Sequence, residues 1–143
     1  MRREDVFITN VVKCRPPGNR DPLPEELTSC SEYLDRQIEA INPRVIVTLG
    51  RYSMGKFLPN VRISDVHGQP FWNHGRLVVP MYHPAAALHQ PSLKTSVERD
   101  FTRLTEFIQQ ARSVAAKNTP APSASAVEEQ PPKDDEPTQL SLF

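Results

Sequence analysis

His83 falls between an apolar run, Leu77-Val78-Val79, and a Pro-led, Ala-rich stretch, Pro84-Ala85-Ala86-Ala87-Leu88. The run predicts a buried strand. Pro84 cannot continue a central strand and suits the first turn of a helix. His83 is therefore expected at the carboxyl end of a strand, the edge where open α/β sheets bind ligands. An imidazole there can donate a hydrogen bond to negative charge developing on a leaving group. It can also be a histidine satisfied at the strand end, and on this stretch alone that structural reading is the favoured one.

Three other side chains carry chemical potential. Asn10 interrupts the β-branched run at residues 6–12. Its amide offers a donor and an acceptor to a ligand, or it simply ends a strand by bonding to a neighbouring loop. Cys14 follows that run, and Cys30 lies on the apolar face of the next predicted helix. They read either as plain buried thiols or as half of a four-thiolate metal site. His67 and His74 stand beside glycines in predicted turns and read as structural or exposed. Their spacing gives no metal pair.

The elements that must position these residues are legible in outline. Residues 6–12 are nearly all apolar, which predicts a strand buried on both faces as in a parallel sheet. Residues 14–22, rich in Pro and Gly, form a loop. Pro24 opens a helix with Glu25 and Glu26 in its first turn, and Leu27, Cys30, Leu34, Ile38 and Ile41 mark one face. Asn42-Pro43 ends it. Residues 45–50 predict a second buried strand, with Gly50 turning the chain into a short helix from Arg51 to about Leu58. Close packing is the expected reason for that glycine. Residues 61–68 read as irregular and extended. Phe71-Trp72 and residues 77–82 form a hairpin turning at His74-Gly75. A last helix runs to about Lys117, starting either at a Thr95–Glu98 capping box or earlier, with Val97, Phe101, Leu104, Ile108, Ala111 and Ala115 as its stripe. Alternating strands and helices predict a three-layer α/β/α fold with a mostly parallel central sheet.

Composition divides the chain in two. Hydrophobic residues are 38% of 143, low for one compact domain, and the deficit is local. Residues 118–143 hold five prolines and an acidic cluster at Glu128, Glu129, Asp134, Asp135 and Glu136. Such a segment cannot bury enough apolar surface to offset its ordering entropy, so it is expected to be a disordered tail behind a domain at 1–117. Five acids against Lys133 leave the tail at net −4; the whole chain is neutral, so the body carries +4. That is compatible with nucleic acid and far from diagnostic of it. No 18-residue apolar run is present, so no membrane span is expected. Two cysteines without a secretory signal suggest a reducing cytoplasm. The tail ends in Gln139-Leu140-Ser141-Leu142-Phe143, either a short linear motif for a partner's groove or a chance apolar end.

The run from Phe7 through Asn10, Cys14, Arg15-Pro16-Pro17-Gly18-Asn19 to Pro22 resembles the second block of the type 4, iron–sulfur uracil-DNA glycosylases. The Cys14-x15-Cys30 spacing, the strand at 45–50 and Tyr82-His83-Pro84-Ala85-Ala86-Ala87-Leu88 match that family in order, over residues 2–107. The resemblance implies hydrolysis of the N-glycosidic bond of deoxyuridine in DNA, releasing uracil from a flipped-out nucleotide. It implies that Asn10 reads the edge of uracil and that His83 donates to the uracil carbonyl as the base departs. Pro84, Ala85, Ala86, Ala87 and Leu88 would press into the DNA. Cys14 and Cys30 would supply two of four ligands to a 4Fe–4S cluster. Gln139 to Phe143 is similar to the pentapeptide with which bacterial proteins bind the β sliding clamp.

The family's Gly-Glu-Ala-Pro-Gly motif, its uracil-stacking aromatic and its first C-x2-C pair have no counterpart here. The chain is thus expected to be the C-terminal portion of such an enzyme, partnered by a missing N-terminal half and inactive alone. Two other readings stay open: a non-catalytic fragment that binds clamp and DNA, and a superfamily member acting on a different deaminated base.

Overall fold

The computed structural model describes the backbone of residues 1–117 and the side chains of residues 1–114. The predicted tail, with its pentapeptide, lies outside the described residues. The chain runs through helix α1 (Pro24–Ile41), strand β1 (Val45–Leu49), helices α2 (Arg51–Gly55) and α3 (Ile63–Val66), strands β2 (Phe71–Asn73) and β3 (Arg76–Met81), and helices α4 (Ala86–His89) and α5 (Lys94–Lys117).

β3 is the centre of a three-stranded sheet of order β1-β3-β2, parallel to β1 and antiparallel to β2. The right of β3 to that place lies in its sequence: Leu77, Val78 and Val79 are 0% exposed. Leu77, Val79 and Met81 pack on Phe107 and Ala111 of α5, flanked by Val45, Val47 and Leu104. By alternation, Val78 and Pro80 serve the opposite face, where Ile46 and Thr48 are their register partners. That face meets the helices on the other side; Ile46 shares a cleft with Ile38 of α1 and with Phe57. The architecture is α/β, as expected, with a small mixed sheet.

Pro80 looks misplaced in a central strand, but its missing N–H points away from β1. Leu77 N–H and Met81 C=O bond to the β1 side, at Arg44 and Gly50. Pro80 therefore faces the other edge, where β2 has already ended at the level of Val78. Its carbonyl accepts a 2.8 Å bond from Gly68 N–H.

Three expectations are corrected. Residues 6–12 form no strand: they are extended, and Phe7 and Ile8 are 59% and 67% exposed. A strand needs a partner, and β1 is an edge whose outer side has none among the described residues. Residues 61–68 are not wholly irregular, since Ile63–Val66 closes one helical turn. The last helix takes the earlier of the two starts left open, at Lys94 directly after a 3-10 turn at Pro91–Leu93, so the Thr95 capping box is not formed. Other local signals at element ends hold. α1 begins at Pro24, where Glu26 accepts the Leu23 N–H at 2.8 Å, and stops at Asn42 in the left-handed region. The hairpin turns at His74-Gly75, both at positive φ.

Candidate functional site

His83 lies two residues beyond β3, at the carboxyl edge of the sheet, with its side chain exposed. The turn that follows fixes it locally. Ala85 N–H donates to His83 Nδ1 at 3.1 Å, and Ala86 N–H donates to the His83 carbonyl at 2.8 Å. Pro84 leads into α4, and Leu88 stands out at 82% exposure, the most exposed large apolar side chain described. Beneath His83 lies Gly50, the turn between β1 and α2. Its φ is +89°, and a Cβ there would sit 3.5 Å from His83 Cβ. That is an ordinary contact distance, so the positive φ, and not the close packing expected, is what calls for glycine here.

The Asn10–Cys14 segment is held from a different side. Lys13 Nζ donates to Asn10 O, Thr9 Oγ1 and Gln37 Oε1 of α1, at 2.8–2.9 Å. Lys13 N–H donates to Cys30 Sγ at 3.2 Å, which brings the start of the Cys14 loop onto Cys30. Both cysteines are free thiols, Cys14 exposed and Cys30 half-buried. The Asn10 side-chain amide has no hydrogen-bond partner among the described residues, and no described bond joins Asn10 to His83.

Two ion pairs organise the loop between them. Arg20 pairs with Glu26 at 2.7 Å and holds its carboxyl down from the usual 4.5 to about 2, helped by the Leu23 N–H. Asp21 pairs with Arg51, the first residue of α2, so the loop after Cys14 is clasped next to Gly50 and hence to the His83 end of the sheet. Sequence reading missed this clasp, because nothing local links residues thirty apart.

A 4Fe–4S cluster needs four thiolates. Cys14 and Cys30 fit half of that set, and the N–H···S bond from Lys13 is the kind of donor that orients a ligating sulfur. Among the described residues no group of three or more potential metal ligands gathers.

Taken together these features define an α/β domain whose sheet presents a loop-held imidazole at its carboxyl edge. A family model, Uracil DNA glycosylase superfamily, matches residues 1–109. The chain belongs to that superfamily. Type-4 uracil-DNA glycosylase of Sulfurisphaera tokodaii is 49% identical over 118 residues, 75% of this chain and 53% of the relative. The Archaeoglobus fulgidus type-4 uracil-DNA glycosylase is 48% identical over 117 residues, 75% of this chain and 58% of its own length. Type-5 uracil-DNA glycosylase of Pyrobaculum aerophilum is 39% identical over 83 residues, 56% of this chain and 36% of the relative. The chain spans about half the length of the curated relatives it matches. No helix among the described residues is long and apolar enough to cross a membrane.

Proposed function

We propose that this chain carries the leaving-group half of a uracil-DNA glycosylase centre acting in base-excision repair. The observation that carries the reading is the bond from Ala85 N–H to His83 Nδ1. With Nδ1 accepting, a neutral imidazole bears its proton on Nε2 and is a donor there. In the reaction the C1′–N1 bond breaks and its electron pair leaves with uracil. The Nε2–H of His83 donates to the uracil carbonyl oxygen that takes up this charge. Water adds at the sugar carbon, its proton passes to the departing base, and an abasic site remains. Asn10 offers its free amide to the uracil edge, an N–H and a C=O side by side. Pro84, Ala85, Ala86, Ala87 and Leu88 form the segment pressed into the DNA, and the exposure of Leu88 supports that role.

Cys14 and Cys30 hold their share of a 4Fe–4S cluster, the other two thiolates coming from polypeptide outside this chain. When bound, the cluster ties the loop to α1 and takes no part in bond breaking. The free thiols fit a reducing cytoplasm. The pentapeptide Gln139-Leu140-Ser141-Leu142-Phe143 docks the tail on a β sliding clamp; deleting it should abolish clamp pull-down, and undiminished pull-down would sink that part.

The main test uses a chimera with the unmatched portion of the Sulfurisphaera tokodaii relative joined ahead of Met1. The 143-residue chain should leave a uracil-containing oligonucleotide intact, whereas the chimera should release uracil. A folded chimera that releases none overturns the functional reading. Cleavage by the chain alone overturns the claim that it is incomplete.

A further inference from the structure

A second histidine is built into the molecule beneath the first. His67 Nδ1 lies 2.6 Å from Asp100 Oδ2, and Asp100 is 1% exposed. Among the described residues, Arg99 is the other cation within ion-pair distance of that carboxylate, 3.7 Å from Oδ1. Asp100 is on α5, thirty-three residues from His67, so the pair joins the last helix to the turn after α3. Gly68, the next residue, is locked between the same elements. Its N–H donates to Pro80 O of β3 at 2.8 Å, and its carbonyl accepts from Arg103 of α5 at 3.3 Å. Its φ is +69°, and a Cβ there would overlap the Asp100 carboxylate. The His67 ring then lies against the Tyr82 ring, centroids 4.5 Å apart and tilted by 42°. Tyr82 is the residue before His83.

We propose that His67 is a positioning residue for His83: Asp100 fixes the His67 ring, that ring fixes Tyr82, and Tyr82 sets the direction in which the chain leaves β3. The local turn bonds of His83, from Ala85 and Ala86, fix its ring relative to its own backbone. They say nothing about how that backbone is aimed relative to the sheet. The Tyr82 ring is the side chain next to His83 that reaches the fold, and the His67 ring is the aromatic surface it meets. An Asp bonded to one imidazole nitrogen holds the ring's orientation, which a purely apolar neighbour would leave free to rotate.

The two functions of His67 can be separated by substitution. His67→Asn keeps a donor near the place of Nδ1 and removes the ring. His67→Phe keeps a ring and removes the imidazole bond to Asp100. Tyr82→Phe keeps the stack, and Tyr82→Ala removes it without touching Asp100. The readout is the ring-nitrogen and Ala85 amide resonances of the 143-residue chain by NMR, which needs no activity. His67→Asn and Tyr82→Ala should shift both signals and weaken the Ala85-to-His83 bond, while Tyr82→Phe should leave them in place. In the chimera, His67→Asn should lower kcat by about 10- to 100-fold with KM unchanged, as for a misaimed group. This kinetic arm rests on the glycosylase reading; the resonances do not. Unmoved His83 and Ala85 signals in folded His67→Asn or Tyr82→Ala would overturn the proposal even in an active chimera. Should His67→Asn fail to fold, the Tyr82 pair decides alone.

Discussion

Residues 6–12 and β3 are almost equally apolar, yet one is bare and the other is the most buried part of the molecule. Phe7 and Ile8 are more than half exposed, whereas Leu77, Val78 and Val79 are sealed. The difference is not propensity, for both runs are β-branched and bounded by turn residues. It is the supply of partners. β3 has a strand on each side and α5 beneath it, all encoded within this chain. Among the described hydrogen bonds, residues 6–12 reach α1 through Thr9, and the adjoining Lys13 reaches it too, both by polar side-chain bonds to Gln37. A strand is a relation between segments, so its sequence signal is silent when the partner is elsewhere. The two candidate-site residues inherit this contrast: His83 leaves the sealed strand, and Asn10 sits on the bare one.

The sharpest way to break the comparison is to attack the end of β3. In the chimera, His83→Ala should cost roughly 10²- to 10³-fold in kcat, the usual loss for a donor to a developing anion. A change under tenfold in single-turnover release of uracil would place the chemistry elsewhere. Next, Leu77→Ala in the 143-residue chain should destabilise by about 2–5 kcal/mol, read from urea unfolding. Gly68→Ala should cost about 2–4 kcal/mol, since it adds both a positive-φ penalty and an overlap with Asp100. On the bare segment, Phe7→Ala should fall within about 0.5 kcal/mol of the parent. A large loss there would mean that residues 6–12 are sealed in solution and that the contrast is false.

How far the sequence could be read follows from the same distinction. The end of β3 was legible because an apolar run, a His-Pro break and an Ala-rich turn all lie within a dozen residues. Gly50 was legible as the turn between strand and helix, but its reason is a positive φ and not the packing expected. The inner face of α5 was legible only in part. The expected stripe included Phe101, which is 40% exposed, and passed over Phe107, which is 5% exposed. The buried face is Asp100, Phe107 and Ala111 with Leu104 partly buried, so Leu104 and Ala111 of the expected stripe hold while Asp100 and Phe107 were missed. A carboxylate heads that face, and hydrophobic periodicity cannot register a charge as core. Its compensation, His67, is too distant in sequence for any local pattern to reveal. Residues 6–12 misled for the opposite reason, a strong local signal without the pairing it requires.

The smallest effect expected concerns how the bare region is fastened. Its loop is anchored by charge, through Arg20–Glu26 and Arg51–Asp21, where β3 is anchored by apolar burial. The Arg20 guanidinium holds the Glu26 carboxyl at about 2 against an ordinary 4.5. A carboxylate depressed on folding stabilises the fold fully above its unfolded value, and that contribution fades as pH falls toward the folded one. The window is therefore about pH 4.5 down to about 2. Because the pair is near the surface, salt should weaken the effect. The Leu23 amide, which donates to Glu26 Oε2, is the local reporter. Its NMR resonance should titrate with a midpoint near 2 and cease to titrate in Glu26→Gln, while the amide of Gly50, bonded to Met81 O of β3, stays fixed over the same range. If Gly50 moves together with Leu23, the loop and the sheet loosen as one unit, and the separation between a charge-fastened region and a burial-fastened one does not hold.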